Sequence, residues 1–287
     1  MQALHSISDA VVAGPRTIDP AKTFQGLVSW MRQLIIDRDV PGLMLGVSGT
    51  DSILAYLVCA RAFESLGRGE RVVGLHYGAP FPPENKTPDE VARIVSMSPS
   101  YRWVARSIVP WLQAQSKGAL CSTDSSIDFN DDYQRWAALF RASLNGALRT
   151  EPLPPGENYW VVGTRNATEK ALGSYSNVSG AVSVQPLQHL WKSEILTLCA
   201  WLGVPRQAIE KSRQVDCDCG RFDIAANNIE QVDWVLMQRQ GLVSQEWLQR
   251  NVAESLLAQL ESFVDNQVAY ARFKKEIPYT PPASLIG

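Results

Sequence analysis

Leu43-Met44-Leu45-Gly46-Val47-Ser48-Gly49-Thr50-Asp51-Ser52 is the stretch on which the fold turns. Pro41-Gly42 breaks the chain before it, and the apolar run Leu43 to Val47 then reads as a short buried strand. Ser48-Gly49-Thr50 is a turn, and an apolar-faced helix follows from Asp51 to about Leu66. Gly67 to Gly69 closes that helix, and Val72 to His76 reads as a second strand. Strand, glycine loop, helix and strand make a βαβ unit, which predicts a parallel sheet covered by helices. The loop itself suits an anion. Gly46 and Gly49 let the backbone bend closely, and Ser48, Thr50 and Ser52 offer hydroxyls. The free N–H groups at the helix start add positive potential, so a phosphate or pyrophosphate fits there. Asp51 either caps the helix or holds Mg²⁺ against phosphate oxygens. The plainer alternative is a capped strand-to-helix turn. No Gly-Lys-Ser/Thr follows, so this is not a Walker loop.

Outward from this unit the pattern stays α/β. Asp19-Pro20 starts a helix, with Phe24, Leu27, Val28, Met31 and Ile35 on one face. Thr87 to Glu90 resembles a capping box, and Tyr101 to Ile108 leans to strand. Asp131 to Arg149 is helical by pattern, with Trp136, Leu139, Phe140, Leu144 and Leu148 on one side. Tyr159 to Val162 reads as a strand, followed by Gly163-Thr164, and Trp191 to Leu202 as a helix closed by Gly203 and Pro205. Ile229 to Lys275 is mostly helical. The expectation is one domain over residues 1–287, a three-layer parallel sheet flanked by helices with a helical C-terminal part. Residues 1–18 are expected to be a flexible extension.

Composition narrows the class of function. The 287 residues carry 27 basic and 29 acidic side chains, a net charge of −2 that disfavours a bulk nucleic-acid binder. No apolar run approaches the ~18 residues of a membrane span. Met1 to Pro15 lacks the pattern of a secretory leader, and five scattered cysteines do not make a disulfide scaffold. A cytoplasmic protein without nucleic-acid or membrane partners is expected.

Three further segments extend the reading: Gly163-Thr164-Arg165-Asn166-Ala167-Thr168-Glu169, Pro186-Leu187 with Leu190 and Lys192, and Leu202-Gly203-Val204-Pro205. With the first loop and the tail Phe273-Lys274-Lys275-Glu276-Ile277-Pro278, the chain resembles the NAD synthetase family of N-type ATP pyrophosphatases. That family carries Ser-Gly-Gly-x-Asp-Ser, then Gly-Thr-x-x-x-x-Glu, then Pro-Leu-x-x-Leu-x-Lys, and the resemblance runs over roughly residues 20 to 280. It implies the adenine nucleotide alpha-hydrolase-like fold. It also implies an ATP- and Mg²⁺-dependent ligase that adenylates a carboxylate, releases pyrophosphate and lets ammonia or an amine displace AMP. In the roles so implied, Ser48, Gly49 and Ser52, with Gly46 and Thr50, hold pyrophosphate. Asp51 and Glu169 hold Mg²⁺, Lys192 contacts phosphate, and Thr164 lies near the nucleotide. His76, at the end of the second strand, is open between a nucleotide contact and a structural role. The family is commonly homodimeric, and the helix around Trp136 and Phe140 is either such a surface or core.

The departures from the family are equally specific. Ser-Gly-Thr-Asp-Ser is one residue short of the family loop, so Thr50 either tightens the turn or weakens pyrophosphate binding. The family's Phe-Thr-Lys-Tyr-Gly-Asp-Gly segment, which helps bind the dinucleotide, is here Tyr175-Ser176-Asn177-Val178-Ser179-Gly180. Its arginine helix corresponds to Asn130 to Arg135, and its Pro-Thr-Ala to Gln214-Val215-Asp216-Cys217. Losing cations that face phosphates weakens binding of a doubly charged dinucleotide, so a smaller carboxylate is the expected substrate. The rivals are a genuine ammonia-dependent NAD synthetase, a sulfur transferase using Cys217 or Cys219, and a non-catalytic nucleotide-binding protein. Cys217-Asp218-Cys219, even with the distant Cys121, is short of the ligands of a zinc site. Asp216, Asp218 and Asp223 read as loop caps, Lys274-Lys275 as a solvated basic patch, and Trp30, Trp136, Trp191, Trp201 and Trp234 as core.

Overall fold

A computed structural model describes residues 14–78, 108–124, 136–137, 139–140, 143, 159–213 and 223–276. Helix α1 (Pro20–Asp37) starts as its sequence dictates: Asp19 accepts the Lys22 N–H and Pro20 takes the first helical position. Phe24, Met31 and Ile35 are buried, while Leu27 and Val28 pack at the margin of the core. Then come β1 (Leu43–Gly46), α2 (Thr50–Glu64), β2 (Val72–Gly78), α3 (Val109–Gln115), β3 (Ala119–Asp124) and β4 (Trp160–Val161). All pairings are parallel and the strand order is β3-β2-β1-β4. The chain therefore leaves β1 toward β2 on one side and returns to its other side only at β4. Such a switch of direction opens a crevice at the carboxyl ends of the two strands.

The sheet is covered on both faces. Leu43, Leu45, Val47 and Val72 join α1 and α2 in one core, whereas Met44, Val73, Leu75 and Val161 point the other way, toward Leu139. This period-2 alternation builds the three layers. Trp136 and Phe140 are partly buried and pack beside Leu139.

Beyond β4 the chain is helical: α4 (Ala167–Leu172), α5 (Lys192–Trp201), α6 (Arg206–Lys211), α7 (Asp223–Asn227), α8 (Ile229–Arg239), α9 (Gln245–Asn251), α10 (Glu254–Tyr270) and α11 (Phe273–Glu276). Leu172, Trp191, Val232, Leu236, Leu260 and Val264 form a second core among α4, α8 and α10.

Several expectations are corrected. The strand expected over 101–108 lies outside the described residues except for Ile108, which leads into α3. The third strand in the chain is β3, which no apolar run announced. Trp30 and Trp201 are not core residues; each is nearly half exposed, Trp201 resting its ring on Phe24. Lys274 and Lys275 are not simply solvated. Lys274 donates to the carbonyls of Gly173 and Tyr175, and Lys275 to that of Ala171, so the tail satisfies the open carbonyl end of α4. The stretch read as a flexible extension is tied down at its end. Arg16 clasps Glu194 through two hydrogen bonds and donates to the His189 carbonyl.

Gly173 closes α4 with a φ of 71°, and a Cβ there would stand 2.2 Å from Ala271 Cβ. Gly173→Ala meets both a left-handed backbone, costing about 1–2 kcal/mol, and overpacking, costing about 1–3 kcal/mol. A loss of about 3 kcal/mol in urea unfolding is expected; wild-type stability would contradict the α4–tail packing.

Candidate active site

The loop after β1 and the turn after β4 face each other across the switch point. Val47 is still held to β2 by its N–H on the Leu75 carbonyl, so the loop proper is Ser48-Gly49. Helix α2 begins at Thr50, one residue earlier than the sequence suggested. In the short loop Thr50 serves as the first helical residue, directly after the N-cap Gly49. Gly49 is extended, with φ −125°, a conformation open to any residue. Ser52 Oγ accepts the N–H groups of Ser48 and Gly49 at 2.8 and 3.0 Å and donates to the Gly49 carbonyl. The Thr50 N–H reaches Ser212 Oγ at 3.4 Å. The amides that suit an anion therefore already rest on hydroxyls, and a phosphate would take the place of neutral acceptors. A Cβ on Gly46 would meet nothing within 4 Å, which leaves the strand end open to close approach.

Asp51 is the centre of the cluster. Its Oδ1 accepts from Asn166 Nδ2 at 2.7 Å, and its Oδ2 forms an ion pair with Lys192 Nζ. Lys192 Nζ also donates to Thr50 Oγ1 at 3.0 Å, and Thr50 Oγ1 donates to Ser212 Oγ at 2.9 Å. Lys192 and Thr50 are buried. Asn166 caps α4: its Oδ1 accepts the Glu169 N–H, and Glu169 Oε2 accepts the Asn166 N–H in return. One asparagine thus links both expected metal-binding carboxylates. Ser48, Gly49, Thr50, Asp51, Ser52, Glu169 and Lys192 are brought together. Thr164 sits half-buried on the turn after β4, and no hydrogen bond among the described residues joins it to them. His76 is described by its backbone alone, paired with Ser122 in the ladder. Cys217 and Cys219 and the segments 130–135 and 214–217 lie outside the described residues.

The residues fit Mg²⁺ carried in with a nucleotide. Asp51 and Glu169 supply hard oxygen donors, and a cavity of about 70 Å³ lined by Glu169, Asn166 and Lys192 has room for several waters. Its polar wall is Asn166, Glu169, Lys192 and Ser212, and its apolar wall Leu172, Ile229, Val232 and Phe263. Among the described residues no group of three or more His, Cys, Asp or Glu forms a self-sufficient metal cage.

Four residues were missed in the sequence. Asn166 had a signal, because Asn-x-x-Glu before an apolar run is a capping box. Ser212, Thr168 and Asp233 act only through tertiary contacts. Asp233 is fully buried, and burial pushes its carboxyl up to about 6. Burial also pushes the Cys199 thiol up to about 12, with the Asp51 charge adding to the shift, and the Cys59 thiol is pushed further. Thiols held protonated are poor nucleophiles. Iodoacetamide at pH 8 is expected to label neither Cys59 nor Cys199 in the native protein, as read by mass spectrometry; rapid labelling at either would overturn this.

A second cleft, of about 600 Å³, is lined by Arg16, Arg165, Lys170, Lys274 and Lys275. Arg165 stacks 3.8 Å from the Tyr175 ring centre and donates to Ser179. Lys274 lies 5.3 Å from the same ring, and its pKa is lowered by burial and then by the Arg165 charge. The expectation that the 175–180 segment has lost its positive charge is therefore modified: Arg165 and Lys274 stand beside it.

A parallel α/β sheet with a hydroxyl-rich loop, two carboxylates and a lysine at its switch point has its polar cluster where open α/β proteins bind ligands. The chain belongs to the NAD synthase family, whose sequence profile matches residues 23–278. It is 28% identical over 273 residues to the NH(3)-dependent NAD(+) synthetase of Methanosarcina acetivorans, covering 92% of this chain and 99% of that protein. It is 24% identical to the enzyme of the same name from Thermococcus sibiricus, covering 93% and 99%. In fold it is similar to the NH3-dependent NAD synthetase of Campylobacter jejuni, with TM-score 0.57, 21% identity, and 92% and 100% coverage. It is also similar to the NMN synthetase of Francisella tularensis, with TM-score 0.52, 18% identity, and 93% and 100% coverage. The family's chemistry is ATP-dependent C–N bond formation with ATP and Mg²⁺. No helix among the described residues is long and apolar enough to cross a membrane.

Proposed function

We propose that this chain adenylates a carboxylic acid smaller than a nicotinate dinucleotide and converts it to an amide with ammonia or an amine, working as a homodimer. The observation that carries the ligase reading is the joining of Asp51, Asn166, Glu169 and Lys192 at the mouth of one anion loop. In the first step a substrate carboxylate oxygen bonds to the α-phosphorus of ATP, and the bond to pyrophosphate breaks. In the second, the amine bonds to the acyl carbon and AMP leaves with the oxygen. Charge builds on the departing pyrophosphate. Lys192, the loop N–H groups and the start of α2 would stabilise it. Asp51 and Glu169 would hold Mg²⁺, which supplies further charge neutralisation.

Support for a different acid comes from the stretch Tyr175 to Gly180, which lacks the lysine and aspartate of the family segment it resembles. Arg165 and Lys274 are already engaged with Tyr175, Ser179 and backbone carbonyls. A second reading, genuine ammonia-dependent NAD synthesis, is favoured by the same two cations: released from those partners, they would face a dinucleotide's phosphates.

Pyrophosphate and AMP release, measured with ATP, Mg²⁺ and ammonia, tests both. Turnover with small acids and none with nicotinate adenine dinucleotide supports the first reading. Turnover with the dinucleotide supports the second. ADP as product overturns the ligase reading.

A further inference from the structure

Helix α5 carries Lys192 as its first residue, and two of the N–H groups at its start are taken by side chains of other helices. Trp191 offers no side-chain oxygen to cap it. Three acceptors take the first three N–H groups instead: Glu194 Oε2 for Trp191 at 2.8 Å, Thr168 Oγ1 for Lys192 at 2.8 Å, and Asp233 Oδ2 for Ser193 at 2.8 Å. Thr168 in turn donates its hydroxyl to Asp233 Oδ1 at 2.5 Å. Asp233 is fully buried on the otherwise apolar face of α8 formed by Val232, Val235 and Leu236. A buried carboxylate at a core position is costly unless it is bonded, and here both oxygens are used. Thr168 precedes Glu169 on α4. The carboxylate therefore binds next to both Glu169 and Lys192, which lie on different helices and approach the loop from different sides.

We propose that Asp233 is a positioning residue that acts through Thr168 and Ser193 to hold Glu169 and Lys192 in register with the Asp51 loop. This rests on the ligase reading for what the register is used for, though the clamp itself is a matter of geometry. Three features of the geometry support it. The anion faces the positive end of α5, where a negative charge is favoured. The Thr168 hydroxyl passes the restraint on, accepting from Lys192 while donating to Asp233. Both carboxylate oxygens act, so α4 and α5 are pinned to α8 together.

The test uses Thr168→Val, Thr168→Ser and Asp233→Asn in the full chain, with three readouts. Hydrogen exchange reads the amides of 192–193. A fluorescent ATP analogue titrated at varied Mg²⁺ reads ground-state binding. Pyrophosphate release reads turnover. Thr168→Val keeps the side-chain shape and deletes the hydroxyl, whereas Thr168→Ser restores it. Groups that orient metal-site ligands typically matter by about 10–100-fold. The expected result is a 10–100-fold rise in the Mg²⁺ needed for half-maximal nucleotide binding in Thr168→Val and Asp233→Asn, with faster exchange at 192–193. Thr168→Ser is expected to stay within about twofold of wild type. If Thr168→Val or Asp233→Asn lowers only the melting temperature and leaves the Mg²⁺ requirement unchanged, Asp233 is merely structural and the proposal falls. The ligase reading fails separately, on the nature of the wild-type products, whereas the clamp is decided by variant-to-wild-type ratios in exchange and Mg²⁺ dependence.

Discussion

Lys192→Ala is expected to lower pyrophosphate release by about 10²–10³-fold, the loss typical for removing one preorganised group that stabilises developing negative charge. The change does two things at once. On the proposed mechanism it removes the cation beside the departing pyrophosphate, and it takes the counter-charge from Asp51, whose side chain is only 14% exposed. Breaking a largely buried pair from one side costs about 3 kcal/mol, because the remaining charge is left without its partner. Activity and stability therefore fall together, and the single variant does not separate the two. Lys192→Met combined with Asp51→Leu does. It replaces the pair by apolar groups, which is often neutral or stabilising for a buried pair. The double variant should recover most of the unfolding free energy and none of the turnover. A double variant that stays as unstable as Lys192→Ala would mean that the pair is not what the loop and α5 share. Lys192→Ala with near wild-type turnover would remove the lysine from the reaction.

Asp51→Asn is expected to be more damaging to turnover, by about 10³-fold, because on the proposed mechanism it takes away a Mg²⁺ donor together with the counter-charge of Lys192. The amide keeps the size of the side chain, so packing of the buried start of α2 is preserved. Lys192 then faces a neutral group in a buried site, and Asn166 faces an amide that can accept its hydrogen bond only in one orientation. The signature is a large fall in turnover with a shift to higher Mg²⁺, against a modest change in unfolding midpoint. Wild-type Mg²⁺ dependence in Asp51→Asn would displace Asp51 from the metal-binding role and leave it a structural partner of Lys192 and Asn166.

The contrast between what could be read along the chain and what could not is physical. The β1–α2–β2 unit was legible because its strands are short apolar runs between Pro41-Gly42, Ser48-Gly49 and Gly67. Burial on both faces demands such runs. β3 was not, because Ala-Leu-Cys-Ser-Thr-Asp at the end of the strand order need not be apolar throughout. Asp51 was marked by its place in the Ser48-Gly49-Thr50 loop, whereas Glu169 and Lys192 stood out only through the resemblance to the NAD synthetase motifs. Ser212, Thr168 and Asp233 carry no such local mark. Ser212 meets Thr50 across 162 positions and Asp233 meets Thr168 across 65. One clue to Asp233 was visible: a charge interrupting the apolar stripe of Val232, Val235 and Leu236, which a helix tolerates only where the carboxylate is bonded.

The strand order bears on how the molecule is made. β1 is flanked by β2, which follows within one helix, and by β4, which the chain reaches only at Trp160. Asp51 waits for Asn166, 115 positions on, and for Lys192, 141 positions on. Contacts this distant carry a large loop-closure entropy before they return any energy, which slows folding. During synthesis the first βαβ unit can collapse while its outer edge on β1 still lacks a partner. The late arrival of β4 and α5 both seals that edge and delivers the lysine to the loop. The sheet is complete once β4 at Trp160–Val161 has joined β1, the site only when Lys192 follows it, so a chain interrupted between the two would leave the ribosome with the sheet and without the lysine.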